Sequence, residues 1–347
     1  MSFFEIDGSE KSGSGTILRY SATLTSITKK SLHLFNIRQK REKKGLRPQH
    51  LKAIEACKEI TKGELKNAYV GSEEIFYTPG KKIFSGNYSF DIGTAGSTTM
   101  LASAIIPMLL FADTPSTIEL TGGLFQDFAP AAHHLAFVVL PLLKRMNIDI
   151  SLEILKPGYV PTGGGKIKLK IHPIKKNVLP ICLEKQGKIK KIKGIALSSN
   201  LKEQEVSKRM FLSFQKELEN MGLNIKSDIE LIYDETADQK GASLTCFIET
   251  ETGCIIGIDV AGKIGRTSEA IGKTVAKRLM QDFNSNATVD RYTADQLILY
   301  AALAKGTSKY IIPKMTEHIE SNLWLIEKFL NVKSEIFGNL LTIHGIG

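Results

Sequence analysis

An internal repeat constrains the fold of this 347-residue chain more than any other feature. Phe4-Glu5-Ile6-Asp7-Gly8 leads as a strand into a glycine turn and a helix-forming segment, and Phe90-Asp91-Ile92-Gly93 does the same roughly 85 residues later. Each unit continues with a strand, a second helix and closing strands, of which residues 68–77 close the first unit. A third unit is indicated near the C-terminus. This alternation favours sheets covered by helices.

Residues 182–284 separate the second and third units and have a different character. They carry their own candidate strands and helices, and the segment is long enough to form an inserted domain. We therefore predict an α/β (α+β) protein in which three repeated βαβαββ-like units form the main domain. The main domain comprises residues 1–181 and 285–347, and residues 182–284 form a smaller inserted α/β domain.

The charge of the chain is strongly basic, +10 with a pI near 9.2. Such a balance favours a polyanionic partner, although a lysine-rich surface has the same composition. The positive charge is concentrated in residues 29–52, where Glu42 is the only acidic residue and the basic ones are Lys29, Lys30, Arg38, Lys40, Arg41, Lys43, Lys44, Arg47 and Lys52. A solvated face more often mixes both signs, so this block favours nucleic acid.

The cysteines and apolar stretches indicate a cytoplasmic protein without a membrane segment. No CxxC pair is present, which disfavours a zinc site and a disulfide framework. The N-terminal residues lack the pattern of a signal peptide. The longest apolar stretch, residues 100–112, contains Pro107 and is too short to span a bilayer.

Several residues suit phosphoryl or nucleotidyl transfer, each with a plain alternative. His318 is a candidate nucleophile, but a lone histidine is commonly a surface or capping residue. Gly13-Ser14-Gly15 could present N–H groups to a phosphate, or serve turn geometry alone. Tyr292 could stack on a base with Asp295 nearby, or simply begin a helix. These residues by themselves indicate nucleotide or RNA chemistry and leave the alternatives open.

A series of short motifs matches one family in order and spacing. The matching stretches are Ile17-Leu18-Arg19, Ile37-Arg38, Gly45-Leu46, Gln49-His50-Leu51, Ile92-Gly93-Thr94-Ala95-Gly96-Ser97, Phe111-Ala112-Asp113, Gly122-Gly123, Ala129-Pro130, Gly158-Tyr159 with the three glycines 163–165, Ala294-Asp295-Gln296-Leu297, and His318 with Asn322. Over essentially its whole length the chain resembles the RNA 3′-terminal phosphate cyclases.

The resemblance implies an ATP-dependent reaction on RNA that bears a 3′-terminal phosphate. His318 would attack the α-phosphorus of ATP and form a histidine–AMP adduct. AMP would pass to the RNA 3′-phosphate, and attack by the 2′-hydroxyl would then release AMP and leave a 2′,3′-cyclic phosphate. Magnesium or manganese would neutralise the leaving pyrophosphate, with its protein ligands unassigned.

The resemblance also implies roles for individual side chains. Arg19, Arg38 and Arg41 would hold phosphates, with Gln49 and His50 nearby. Tyr292 and Pro130 would sandwich the adenine, and Thr293, Ala294, Asp295 and Gln296 complete the nucleotide-binding stretch.

Three departures from the family pattern support a second hypothesis. Ser12 stands where the family has a metal-binding glutamate, Ser103 replaces a glutamine, and Leu124-Phe125 replace Thr-Asp. The alternative to the cyclase is therefore a non-catalytic RNA-binding relative that acts in ribosome biogenesis or RNA processing. The sequence sets neither the natural RNA, the preferred metal nor the oligomeric state.

Overall fold

Four four-stranded sheets and their covering helices make up the computed structural model, which describes residues 2–347. The strands are β1 Phe4–Asp7, β2 Leu32–Phe35, β3 Glu64–Lys66, β4 Ile75–Thr78, β5 Asn87–Asp91, β6 Ser116–Gly122, β7 Ile150–Lys156, β8 Gly165–Ile171, β9 Cys182–Leu183, β10 Ile189–Ser199, β11 Asp228–Asp234, β12 Gly241–Thr250, β13 Ile255–Ala261, β14 Lys305–Ile311, β15 Ser334–Phe337 and β16 Leu340–Ile346. The helices are α1 Gly15–Thr28, α2 Pro48–Thr61, α3 Thr98–Leu109, α4 Ala132–His134, α5 Leu140–Arg145, α6 Val206–Asn220, α7 Ser268–Asn284, α8 Thr293–Ala302 and α9 Glu317–Leu330. A π-helical turn, Leu135–Val139, joins α4 to α5.

Three of the sheets have the same arrangement of strands. Their orders are β1-β2-β4-β3, β5-β6-β8-β7 and β9-β14-β16-β15. In each sheet the first two strands are parallel and the remaining pairs are antiparallel. The mixed α/β class predicted from the sequence is confirmed.

The first strand of the third sheet comes from an unexpected part of the chain. β9 pairs in parallel with β14, so Cys182 lies opposite Lys309. Sequence analysis assigns Cys182 to the inserted domain, whereas in the structure its strand belongs to the third sheet. The domain limits themselves, residues 1–181 with 285–347 and residues 182–284, stay a prediction.

The segment that follows β9 forms the fourth sheet, of order β11-β10-β12-β13, and two long helices cover it. The buried residues between this sheet and its two helices form a separate hydrophobic cluster. Other buried residues of the sheet, such as Leu197 and Phe247, belong to the larger cluster that runs through the other three sheets. Phe214 of α6 and Leu279 of α7 are fully buried in this second cluster. Tyr292 packs against its edge, so the fourth sheet supports a residue that the sequence places in the nucleotide site.

Residues 68–77 do not form the single strand that the sequence predicts. Only the last residues of this range belong to a strand, β4, because β3 ends at Lys66 and a turn region separates these two antiparallel strands. Asn67 and Gly71 both adopt positive φ, at 59° and 93°, which an extended strand cannot accommodate. The prediction of one strand is therefore wrong because turn residues interrupt the apolar stretch.

The strand β8 shows why the sequence folds into covered sheets. In β8 the side chains of Ile167, Leu169 and Ile171 are buried, and the lysines between them are exposed. This period of two matches a sheet with one face on the core. Within residues 2–347 there is no helix with the length and apolar character that crossing a membrane requires.

Candidate active site

A cleft of about 500 Å³ is lined by residues of five helices and of the loops next to them. Of the site residues named from the sequence, it is lined by Arg19, Arg38, Arg41, Gln49, His50, Pro130, Tyr292, Asp295, Gln296 and His318. Thr293 and Ala294 do not line it, because both side chains are buried behind the wall. We call this space the candidate cleft.

Several helix N-termini meet at the candidate cleft. Ser14 caps α1 by accepting a hydrogen bond from the N–H of Thr16, and Thr316 caps α9 through the N–H of Ile319. His318 is the second residue of α9, and Tyr292 immediately precedes α8. The exposed N–H groups and dipoles at such ends favour anions. The backbone therefore makes the cleft attractive to phosphate before any charged side chain is counted.

His318 is oriented by a residue that sequence analysis does not single out. Its Nδ1 lies 3.1 Å from Oγ1 of Thr16, and Nη2 of Arg19 donates to the same oxygen at 3.3 Å. Partial removal from water, together with the positive charges of Arg19 and Arg41, holds the pKa of His318 below its ordinary value. The imidazole is therefore neutral near neutral pH, the state in which it is a nucleophile.

Arg19 is a buried cation with few partners. Only 8% of it is exposed, and its hydrogen-bond acceptors are Oγ1 of Thr16 and the Sδ of Met100, the latter at 3.2 Å. Its Nε is buried without an acceptor, and no carboxylate of residues 2–347 forms an ion pair with it. A buried guanidinium with unused donors is costly unless an anion joins it. Arg19 thus marks an anion site inside the cleft.

Arg38 and Arg41 come from the basic block of residues 29–52, in the loop before α2. Arg38 adopts a positive φ of 57° and donates to the carbonyl oxygen of Gly45 at 3.2 Å. Burial and the neighbouring arginines lower the pKa of Arg38. Arg41 donates to the carbonyl oxygen of Ser12 at 3.1 Å and lies 3.8 Å from Glu317. The loop thereby adds two more cations to the candidate cleft.

His50 supplies a hydrogen-bond donor rather than a charge. Burial, reinforced by the charges of Arg19, Arg38 and Arg47, places the pKa of His50 well below its ordinary value. Its Nδ1 accepts from the N–H of Arg47 at 3.3 Å, so the proton of the neutral ring lies on Nε2. A Cβ at position 15 would collide with Nε2, and Gly15 therefore lets the ring approach the start of α1.

Tyr292 and Asp295 are held by a buried network around Asp290. Oδ1 of Asp290 accepts from the N–H groups of Tyr292 and Thr293, at 2.9 and 2.8 Å. Its Oδ2 accepts from the N–H of Gly257 on β13 at 3.0 Å and lies 3.2 Å from Nε2 of His134. This network joins the second, third and fourth sheets at the edge of the cleft. An Asp three residues before Thr293 is a helix-start signal that could have identified it.

The pKa values of this network describe a buried ion pair. Burial alone would raise the pKa of Asp290, but His134 and the hydrogen bonds bring it below its ordinary value. Burial opposes the charge of His134, yet Asp290 raises the pKa of that imidazole. Burial raises the pKa of Asp295 to about 7, although the charge of Arg19 opposes the rise. Asn322 fixes its position by donating to the Asp295 carbonyl oxygen at 3.0 Å.

The position of the missing loop glutamate carries a cluster of hydroxyl groups. Ser12 Oγ lies 2.9 Å from Ser14 Oγ and accepts from Ser321 Oγ at 2.8 Å. Glu10 is exposed and does not line the cleft, and Ser103 donates to the carbonyl oxygen of Met100. In the part of the chain that the structure describes, no three or more His, Cys, Asp or Glu residues are grouped to hold a metal. The residues present therefore do not fit a protein-held divalent cation.

Comparison with known proteins decides the family. A family model described as RNA 3′-terminal phosphate cyclase matches residues 10–336. The chain belongs to the RNA 3′-terminal phosphate cyclase family. This is a family of enzymes, and the recognition made from sequence motifs is confirmed.

Relatives named RNA 3′-terminal phosphate cyclase match this chain over nearly their whole length. The Pyrobaculum aerophilum protein is 35% identical over 94% of this chain and 93% of its own. The Staphylothermus marinus protein is 35% identical over 100% and 99%, and the Sulfolobus acidocaldarius protein 36% identical over 96% and 97%. The cyclase family is thus matched across all four sheets.

Proposed function

We propose that this chain uses ATP to convert the 3′-terminal phosphate of an RNA into a 2′,3′-cyclic phosphate through a covalent adduct on His318. The observation that carries the proposal is the arrangement around this imidazole. A histidine held neutral lies in the same cleft as Arg19, a buried guanidinium with unused donors. Family membership supports ATP as the co-substrate and RNA as the substrate.

In the first step, His318 would attack the α-phosphorus of ATP and pyrophosphate would leave. If Nδ1–H donates to Thr16, the lone pair of Nε2 is free to form the new N–P bond. Because Arg19 donates to the same hydroxyl, Oγ1 of Thr16 acts as an acceptor in this arrangement. Arg19, Arg38 and Arg41 would stabilise the charge that develops on the phosphate oxygens.

Two further displacements complete the reaction. An oxygen of the RNA 3′-phosphate attacks the phosphorus of the adduct, the N–P bond breaks, and His318 is regenerated. The neighbouring 2′-hydroxyl then attacks the 3′-phosphorus and loses its proton, and AMP leaves. The neutral Nε2–H of His50 can donate to a phosphate oxygen in these steps without adding charge.

The adenine would lie between Tyr292 and Pro130, which both line the candidate cleft. Asp290 fixes the backbone on either side of Tyr292, and the carbonyl oxygen of Pro130 accepts from Thr99 at 2.7 Å. Asp295 and Gln296 lie on the same wall. Thr293 and Ala294 would support this wall without contacting the nucleotide. The hydroxyl of Thr293 donates a hydrogen bond to Asp290 at 2.8 Å. We also propose a cytoplasmic location, which fits the four unpaired thiols.

The decisive experiment is incubation with ATP labelled at the α-phosphate, with magnesium, with manganese and with a chelator. The parent should acquire an acid-labile label and His318→Ala should not. His172→Ala, which changes a half-buried histidine outside the cleft, is the matched control and should label like the parent. The labelled protein should then cyclise an RNA 3′-phosphate.

The hydroxyl cluster at Ser12 favours the second candidate, a non-catalytic RNA-binding protein, because serine stands where the resemblance implies a metal-binding glutamate. Parent protein that stays unlabelled under all three conditions, while melting cooperatively and binding RNA, would contradict the cyclase and support this candidate.

A further inference from the structure

A second cavity, of about 430 Å³, lies where the fourth sheet meets the loop between β7 and β8. We call it the junction cavity. The buried side chains of Tyr159 and Ala242 lie at its floor, and Lys240, Lys263 and Ile264 are exposed around it. None of these residues takes part in the chemistry described above.

Ion pairs made by Asp127 lie between the junction cavity and the candidate cleft. Arg266 lines the junction cavity, and Asp127 lines the candidate cleft. Their side chains form two hydrogen bonds, of 2.6 and 2.9 Å. Phe128, the residue after Asp127, is 99% exposed and also lines the candidate cleft. The two cavities are therefore neighbours, and Phe128 is exposed at their border.

The charge of the junction cavity is complementary to a polyanion. Its lining includes Lys240, Lys263 and Arg266 and contains no Asp or Glu. Asp127 offsets the charge of Arg266 and lies 3.7 Å from Lys263. Asp238, close to Lys240 in sequence, is already paired with Lys156 at 2.6 Å. Positive charge consequently remains at the rim, mainly on Lys240.

The apolar part of the lining suits the face of a nucleobase. Val160 is 55% exposed and Ile264 is fully exposed, although both are aliphatic. Exposed apolar side chains next to lysines are the combination that single-stranded nucleic acid uses, since bases pack on apolar surface and phosphates pair with cations. The exposed ring of Phe128, between the candidate cleft and the junction cavity, offers a further surface on which a base can stack.

We propose that the junction cavity binds the RNA nucleotides that precede the last two at the 3′ end. A base packs against Ile264 and Val160, and Lys240 and Lys263 neutralise the phosphates on either side of it. This inference rests on the proposed function, because the 3′-terminal phosphate must lie in the candidate cleft for the upstream nucleotides to reach the cavity.

The test compares two substrates with a 3′-phosphate, a dinucleotide and a longer single-stranded oligonucleotide, on Lys240→Glu and Ile264→Ser. KM for the oligonucleotide should rise about tenfold for each variant, the loss expected for one base or phosphate contact. KM for the dinucleotide and labelling of His318 by ATP should stay at the parent level. Lys240→Glu should also lower the salt dependence of oligonucleotide binding by about one unit of slope.

Lys216→Glu is the matched control. Lys216 is an exposed lysine on α6, ten residues beyond Val206 at the cavity and thus about 15 Å away along the helix. It should behave like the parent. Equal effects of Lys240→Glu and Lys216→Glu, or equal losses with the dinucleotide and the oligonucleotide, would overturn the proposal.

Fluorescence anisotropy with a labelled oligonucleotide separates this proposal from the proposed function. If the parent forms no adduct with ATP, the proposed cyclase function is rejected, but oligonucleotide binding still tests the junction cavity. Parent-like affinity of both Lys240→Glu and Ile264→Ser for the oligonucleotide would then reject the cavity as an RNA site.

Discussion

The protonation of His318 depends on side chains from a distant part of the sequence. Thr16 contacts its Nδ1, and Arg19 and Arg41 place positive charge nearby. All three precede His318 by more than half of the chain. Positive neighbours disfavour the protonated ring, and the ring is the attacking group only when it is neutral.

The rate of adduct formation should therefore persist at lower pH than an ordinary histidine allows. In the parent, the acid limb of the rate profile should have its midpoint below the imidazole value of 6.5. Arg41→Gln removes one of the charges that lower the pKa of His318, so the midpoint should move to higher pH. The rate should also fall, because a cation that would hold the phosphates is lost. Single-turnover labelling across a pH series measures both.

Lys43→Gln provides the control, because it removes an exposed positive charge from the same loop. Its midpoint should match the parent. A midpoint that shifts equally in Lys43→Gln and Arg41→Gln would mean that overall charge, rather than proximity to His318, sets the pKa.

Individual residues show where sequence reasoning reaches its limit. His318, Arg19, Arg38 and Arg41 can be selected from the sequence, because the motifs around them match the cyclase family in order and spacing. Thr16 cannot, since a threonine in the first turn of a helix is ordinary and its contact with His318 is set by tertiary packing. Thr293 and Ala294 belong to a matching motif, yet only the structure shows that their side chains point away from the cleft.

At the scale of elements, the start of α8 depends on a buried pair outside that helix. The carboxylate of Asp290 accepts hydrogen bonds from the N–H groups of Tyr292 and Thr293, and it also pairs with His134 of α4. Both side chains are fully buried. Removing one partner of such a pair leaves the other buried and uncompensated.

Asp290→Ala should accordingly lower the free energy of unfolding by about 3–5 kcal/mol. It should also weaken ATP binding, because the backbone around Tyr292 loses its anchor. Chemical denaturation and nucleotide titration measure the two effects. Asp149→Ala is the control, because Asp149 pairs with His172 at 3.9 Å in an exposed position, and its effect should stay within about 0.5 kcal/mol. Similar losses for both variants would contradict the role given to the buried pair.

Elements are predicted well where a periodic pattern and a cap agree. The segment that forms α1 is apolar and comes directly after Ser14, which caps the helix. The single strand predicted at residues 68–77 is wrong because apolar residues continue through the turn in this region. β9 could not be predicted, because a strand of two residues is too short to show an alternation of buried and exposed side chains.

At the scale of the whole molecule, the candidate cleft is assembled from separate parts of the fold. Arg19 and His50 come from helices of the first sheet, Pro130 precedes α4, and His318 belongs to the third sheet's helix α9. A ligand that contacts all of them should stabilise their joint arrangement, because it binds the folded state alone.

ATP at about one hundred times its Kd should raise the free energy of unfolding by about 2.7 kcal/mol. Trp324, the single tryptophan, lies on α9 and reports on the third sheet, while circular dichroism reports on the whole chain. Both probes should shift to higher temperature together when ATP is added. GTP is the control and should give a smaller shift. A shift seen only by Trp324 would contradict binding across the separate parts of the cleft.

The position of β9 has a consequence for how the chain folds during synthesis. The ribosome completes the first two sheets early, and then releases β9 without the strand that it pairs with. The N–H of Ile181 donates to the hydroxyl of Ser308, 127 residues further along the chain. Until those residues emerge, the nascent polypeptide carries an incomplete third sheet and lacks the helix that bears His318. The adduct proposed on His318 therefore cannot form before α9 has been synthesised.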